Sequence, residues 1–249
     1  ALGPSLFCIL WYIYGYCNDI IDTVDAICFI CGGYGIYSMV ILHMINTRKI
    51  SIVLSSAMND WITIKDKKMK KIMVRYAYIA RMLFITLESA VVFALLPLSL
   101  LRYPRIIEDY DSLSNTTIYT RTTAFGPKCW IPMEVSNFLY IFYWIINAYL
   151  PILLSLIWNV LNGFVFCIAL HIIGQFQLLR VGYLNFDDEK GSEIDREKIV
   201  RFAKRHNYVL QMANNFSLAF SMGLLVAIGT YVILASVSGK KISMGFLFI

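Results

Sequence analysis

The stretch Val135–Leu179, VSNFLYIFYWIINAYLPILLSLIWNVLNGFVFCIALHIIGQFQLL, carries no Lys, Arg, Asp or Glu, and its one titratable imidazole is His171. A hydrocarbon core of roughly 30 Å needs about 20 apolar residues of helix. This stretch is twice that length, and its two ends differ. Aromatic and aliphatic residues fill it up to about 169. Beyond that, His171, Gln175 and Gln177 enter without any helix breaker before Gly182. The pattern predicts a membrane span over about 137–169 that continues as a helix out of the bilayer.

Working outward, the same kind of run recurs. Residues 1–18, 26–47 and 206–239 hold no Lys, Arg, Asp or Glu, and 76–101 holds only Arg81 and Glu88. The whole chain of 249 residues is 59% hydrophobic and 15% charged, with mean hydropathy +0.65. A soluble domain carries about 25% charged residues. The expected fold is therefore all-α, a polytopic transmembrane helical bundle. Its expected spans are about 3–17, 26–46, 77–100, 137–169 and 215–237. Residues 1–18 do not read as a signal peptide, because a basic start and a small-residue cleavage site are both missing. Ala1 opens directly on an apolar run and Met244–Ile249 begins another, so five spans of an incomplete chain with at least one more span beyond it are expected.

Charge sets the expected orientation. The connection 18–25 has Asp19, Asp22 and Asp25 and no basic residue. The connection 47–76 has eight basic residues against Asp60 and Asp66, a net +6. Basic residues gather in short cytoplasmic loops, so 47–76 and 170–214 are expected inside, 18–25 and 101–136 outside, and the N-terminus cytoplasmic. Asn115-Thr116-Thr117, a glycosylation acceptor triplet, falls on the outer side in this scheme. So do Cys17 and Cys129, which could pair there.

The loops have structure of their own. Ile50, Val53, Leu54, Ala57, Met58 and Trp61 recur at helical spacing, which predicts an amphipathic helix ahead of the Lys cluster 65–71. That cluster suits anionic lipid headgroups or ordinary positive-inside bias. Ile199–Met212 is likewise periodic, so spans four and five are expected to project into the cytosol as paired helices with mixed charge. The outer loop, with Tyr103, Pro104, Tyr110, Tyr119, Phe125, Pro127, Trp130 and Pro132, reads as a folded lid.

Chemistry is sparse. Cys28 and Cys31 form a lone CxxC, His43, His171 and His206 show no ligand spacing, and no nucleophile elbow, HExxH or phosphate loop is present. Catalysis, a cofactor, a metal and nucleic-acid binding are not expected. Glu88 is a carboxylate within a span, where it is costly; it either lines a polar cavity or pairs with Arg81 or a neighbouring helix. Pro97 and Pro151 loosen their helices.

Several scattered motifs form a pattern. Cys167-Ile-Ala-Leu-His171-Ile-Ile-Gly174-Gln175-Phe-Gln-Leu-Leu-Arg180 closes the fourth span, His206 lies on a basic helix, and Asn214-Asn215-Phe216-Ser217 leads into the fifth. Asn59-Asp60-Trp61 sits in the first cytosolic loop and Lys128-Cys129-Trp130-Ile131-Pro132 precedes the fourth span. Together with the inverted orientation, this resembles the insect odorant receptor family. The resemblance implies a seven-span plasma-membrane subunit in the dendrite of a sensory neuron. It implies a ligand-gated cation channel formed with an olfactory co-receptor, and a small volatile odorant bound in the outer half of the bundle. Depth and helical face then point to Ser89, Val92 and Phe93 on span three, and to Tyr143, Asn147 and Leu150 on span four. Trp144 stands where a Gln is common in the family. The second cytosolic loop is shorter than in the co-receptor, which favours a ligand-tuning subunit. A gustatory receptor of the same superfamily, or a transporter or membrane-embedded enzyme using Glu88, are the alternatives.

Overall fold

The computed structural model describes residues 20–111, 116–126, 135–187 and 196–247. Five helices and one hairpin make up these residues: α1 Ile20–Ile45, α2 Thr47–Thr63, α3 Lys67–Leu101, β1 Ile106–Asp111, β2 Thr116–Arg121, α4 Asn137–Asp187 and α5 Arg196–Leu247. Four of the helices, α1, α3, α4 and α5, are long and apolar enough to cross a membrane. The chain is a multi-pass helical membrane protein. Phe138 at 83% exposure, Leu101 at 73% and Leu225 at 64% are left uncovered by the chain itself, as lipid-facing side chains are. The expected first span, 3–17, lies outside the described residues, as do Cys17, Cys129 and Asn115.

Helix starts and stops follow local chemistry. The α1–α2 junction is one residue, Asn46, with φ −92° and ψ 10°. Its side-chain Nδ2 donates to the Leu42 carbonyl at 3.0 Å, and the Thr47 hydroxyl donates to the His43 carbonyl at 3.0 Å. Both add side-chain donors to the last carbonyls of α1, where intrahelical donors run out; the Leu42 carbonyl also accepts the Asn46 backbone N–H at 3.0 Å. Asp66 accepts the backbone N–H of Lys68 at 2.9 Å and so caps the start of α3. Residues 20–25, expected as connection, already form the first turns of α1. Asp22 there faces the positive end of the helix dipole. Gly182 does not end the fourth span's helix, which continues to Asp187. At 1.5 Å per residue its 51 residues extend about 75 Å, more than twice a hydrocarbon core.

The described residues fall into two compact units, and each long helix contributes to both. One unit comprises 38–88 and 158–226. Its core joins Val53 of α2 to Val165, Ile168 and Ile172 of α4 and to Met212, Ala219 and Phe220 of α5. The amphipathic spacing of α2 is visible in what it buries: Val53, Ala57 and Asp60. Phe220 meets the rings of Phe216 at 5.0 Å, His43 at 5.7 Å and Phe164 at 6.1 Å. α3 approaches α4 so closely that a Cβ on Gly163 would lie 2.5 Å from the Phe84 ring.

The other unit comprises 20–37, 89–157 and 227–247. It holds the hairpin, an antiparallel pair in register Ile106↔Arg121 through Asp111↔Thr116. The described residues are thus helical with one hairpin, in the loop whose sequence reads as a folded lid. β-branched and aromatic residues in Ile106–Asp111 and Thr116–Arg121 suit a pleated ribbon. The hairpin is tied to the first turn of α4. Thr122 accepts the Arg105 N–H at 2.9 Å, and the Tyr140 hydroxyl donates to the Thr122 carbonyl at 2.9 Å. The Trp144 indole N–H reaches the Arg102 carbonyl at 3.0 Å.

The close approach at Gly163 leads to an expected outcome. Gly163→Ala forces the Phe84 ring aside and destabilises the protein by about 1–3 kcal/mol, as overpacking does. Gly229→Ala, whose Cβ would meet open space, leaves the melting temperature in detergent unchanged. Equal melting temperatures for both variants would contradict the packing described.

Candidate functional site

Three helices of the unit 38–88 and 158–226 bring polar side chains to one buried point. α2 supplies Asp60, α4 supplies His171 and Gln175, and α5 supplies Arg205. Asp60 and Gln175 are fully buried. The Asp60 carboxylate accepts from Arg205 Nη2 at 2.8 Å on one oxygen and lies 3.2 Å from His171 Nε2 on the other. Arg205 Nη2 also donates to Gln175 Oε1 at 2.5 Å. His171 Nε2 lies 3.4 Å from Gln175 Nε2. One ring nitrogen cannot donate to Asp60 and accept from Gln175 at once. The shorter distance and the ionised carboxylate favour donation to Asp60, which leaves the Gln175 amide facing Met73 Sδ at 3.8 Å.

Tyr208, one turn beyond Arg205, completes the cluster. Its ring lies under the Arg205 guanidinium at 4.8 Å, and its hydroxyl donates to the Ser56 carbonyl at 3.1 Å. Tyr208 precedes the apolar run of α5; burial, and next the Asp60 charge, push its phenol above the usual range. Helical spacing explains which of these residues share a face of their own helix. Asp60 is on the buried stripe of α2 with Val53 and Ala57, and His171 and Gln175 are one turn apart on α4.

The cluster holds a buried charge with partners on two other helices. It has no nucleophile, and among the described residues no group of three or more His, Cys, Asp or Glu could hold a metal. Cys28, Cys31 and Cys167 form no disulfide among the described residues. The arrangement fastens α2 to α4 and α5. Beside it, Trp61, Met73, Tyr76, Cys167, His171 and Gly174 line a small void of about 50 Å³, space for a few waters. A larger cavity in the same unit, about 440 Å³, is lined by Met69, Leu178 and Leu179 together with Lys198, Arg201 and Arg205.

Glu88 has a different situation from the one expected of an ion pair. Both of its carboxyl oxygens are buried without a hydrogen-bond partner, and Arg81 is exposed. Asn159 Nδ2 is also buried and unpartnered. The Gly163–Phe84 approach sets α3 and α4 at one level there. Glu88 is one turn past Phe84 and Asn159 one turn before Gly163 on antiparallel helices, so the two share a depth.

The six residues expected to bind ligand lie in the unit 20–37, 89–157 and 227–247. Ser89, Val92 and Phe93 share one face of α3; Tyr143, Asn147 and Leu150 share one face of α4. Their exposures differ. Asn147 is buried at 6%, and Ser89 and Tyr143 are half-buried. Val92 and Leu150 are exposed, and Phe93 at 78% projects from the chain. His206 is exposed and stacks on Phe202, and Phe216 packs on Phe220.

Asp60, His171 and Gln175 stand within the quoted motifs, whereas Arg205 and Tyr208 belong to none of them. The signal that could have found them is an Asp at a buried position of an amphipathic helix, which requires a cation.

Removing Asp60 takes the carboxylate from Arg205 and His171, while Arg205, 35% exposed, keeps its bond to Gln175. Asp60→Ala is expected to cost about 1–3 kcal/mol, the loss of charge-assisted hydrogen bonds, and to lower the yield of folded protein in detergent. Lys65→Ala, at an exposed position nearby, is expected to change the melting temperature little.

No protein-family model and no curated protein matches this chain.

Proposed function

We propose that this chain is a ligand-tuning subunit of a ligand-gated cation channel of the insect odorant receptor type. It would sit in the plasma membrane of a sensory dendrite and assemble with an olfactory co-receptor. The observation that carries the reading is the meeting of motif residues distant in sequence. Asp60 of Asn59-Asp60-Trp61 contacts His171, 111 residues away, and Arg205 contacts both Asp60 and Gln175. Asp60, His171 and Gln175 are letters of the stretches that carry the resemblance to the family. Such a latch suits a subunit whose inner helices must move as one body during gating.

The ligand in this reading is a small volatile molecule held by α3 and α4. A mostly apolar site with a few polar groups fits that ligand class. Exposure separates the six residues: Asn147 and Tyr143 supply polar contacts from the covered face, and Phe93 lies on the uncovered one.

A second reading has one observation in its favour. The unpartnered carboxylate of Glu88 is the kind of group that a transporter uses to couple substrate to protons or sodium. Flux without a gated current, lost in Glu88→Gln, would favour it.

The channel reading is tested by expressing the full-length receptor with the co-receptor and recording currents across a panel of volatiles. Current is expected only when both subunits are present. Asn147→Ala is expected to raise the half-maximal concentration about tenfold, the size of one lost hydrogen bond in an apolar site, with Phe93→Ala shifting it less. An unchanged curve for both Asn147→Ala and Tyr143→Phe removes these residues from the pocket. Absence of any current across the panel contradicts the channel reading.

A further inference from the structure

The cavity of about 440 Å³ beside the latch has two kinds of wall. Leu178 and Leu179, both buried, and the half-buried Met69 and Ile64 make an apolar floor. Lys198, Arg201 and Arg205 set three cations along one side. Apolar surface joined to a row of cations is complementary to a molecule with an anionic head and a hydrocarbon body. The volume lies within the range of about 300–1,000 Å³ of small-molecule sites.

Depth narrows the choice. A Cβ on Gly174 would lie 3.2 Å from the Tyr76 ring, so these two residues are level. On α3 the apolar run begins at 77, immediately after Tyr76. Leu178 and Gly182 lie one and two turns past Gly174, about 6 and 12 Å further along the helix. Met69 lies seven residues before Tyr76, about 10 Å in the same direction. The headgroup layer on each side of a bilayer is roughly 5–8 Å deep. The cavity therefore opens within the headgroup layer and reaches just past it. In sequence, the lining residues Ile64 and Met69 are interleaved with Lys65, Lys67, Lys68, Lys70 and Lys71, against one acidic residue, Asp66.

We propose that this cavity binds an anionic phospholipid, with the phosphate-bearing headgroup between Lys198 and Arg201. Arg205 adds charge from behind while it holds Asp60. Arg201 is paired with Glu197 at 2.8 Å, but both side chains are 70% exposed. An exposed pair of this kind contributes little, so a phosphate can take its place. A guanidinium binds phosphate through paired N–H donors, which gives the site a preference beyond bulk attraction. The occupant is distinct from any volatile ligand and does not depend on channel function.

Gly182 offers a clean probe. It lines the cavity, and a Cβ there would meet nothing within 4 Å. Gly182→Leu fills the space without altering any charge. The test is native mass spectrometry of the full-length protein released from nanodiscs of phosphatidylcholine doped with a phosphatidylinositol phosphate. The wild type is expected to retain the anionic lipid. Lys198→Ala with Arg201→Ala is expected to reduce retention roughly tenfold, the loss of charge-assisted contacts to phosphate. Gly182→Leu is expected to reduce it comparably, with the melting temperature unchanged. Lys67→Ala with Lys68→Ala, outside the cavity wall, is expected to reduce it far less. Equal loss from the two charge pairs, or full retention in Gly182→Leu, overturns the site and leaves only diffuse attraction of a basic face. Displacement of the lipid by an equal amount of soluble inositol bisphosphate also overturns it, because the cavity would then take a free phosphate ester.

Discussion

A carboxylate with no exposure to solvent cannot remain charged without a partner, and the arrangement of α2, α4 and α5 follows from that constraint at Asp60. Desolvating the ion costs several kcal/mol. Arg205 and His171 offset that cost only if α4 continues past about 169 and α5 begins ahead of about 215, as both helices do. Gln175 has a second function in the cluster, since it takes up the guanidinium N–H that Asp60 leaves over. Around this polar centre the packing is ordinary: Val53, Ile168, Ile172 and Met212 exclude water, and close packing of this kind holds distances steady.

The same geometry links the latch to two other features. Arg205 is shared between Asp60 and the wall of the larger cavity. A change in what occupies that cavity would be felt first at Arg205, then at the carboxylate that fixes α2. The guanidinium side of the cluster is the more open one: Arg205 is 35% exposed and lines the larger cavity, whereas His171 is 10% exposed beside a void of about 50 Å³. All of these residues lie within one unit, 38–88 and 158–226.

Much of the fold was legible because lipid imposes simple rules. Uncharged runs marked α1, α3, α4 and α5, and period marked α2 as a helix with a buried face. The long extension of α4 was readable because nothing in 170–180 breaks a helix. Boundaries were less accessible. Asp22 and Asp25 looked like a turn, yet acidic residues are favoured at a helix N-terminus. Gly182 looked like a stop, yet glycine costs only about 1 kcal/mol within a helix, and packing overrides it. The hairpin was missed because Glu108 and Asp109 interrupt its apolar alternation and its anchor, the bond from Tyr140 to the Thr122 carbonyl, comes from 18 residues further on. The latch was missed for the same reason. Asp60 and Arg205 are 145 residues apart, and no local pattern reveals such a pair. For the ligand face, periodicity placed six residues on two helical faces but carried no information about cover, which is why Asn147 and Phe93 differ so widely in exposure.

The most direct measurement is a double-mutant cycle on Asp60→Asn and Arg205→Met in the full-length protein, read by equilibrium unfolding in detergent. Direct contact between buried partners predicts a coupling of roughly 1–3 kcal/mol, so that the second substitution costs far less once the first is made. Additive losses, with no coupling beyond about 0.5 kcal/mol, would contradict the claim that this pair holds α2 against α5.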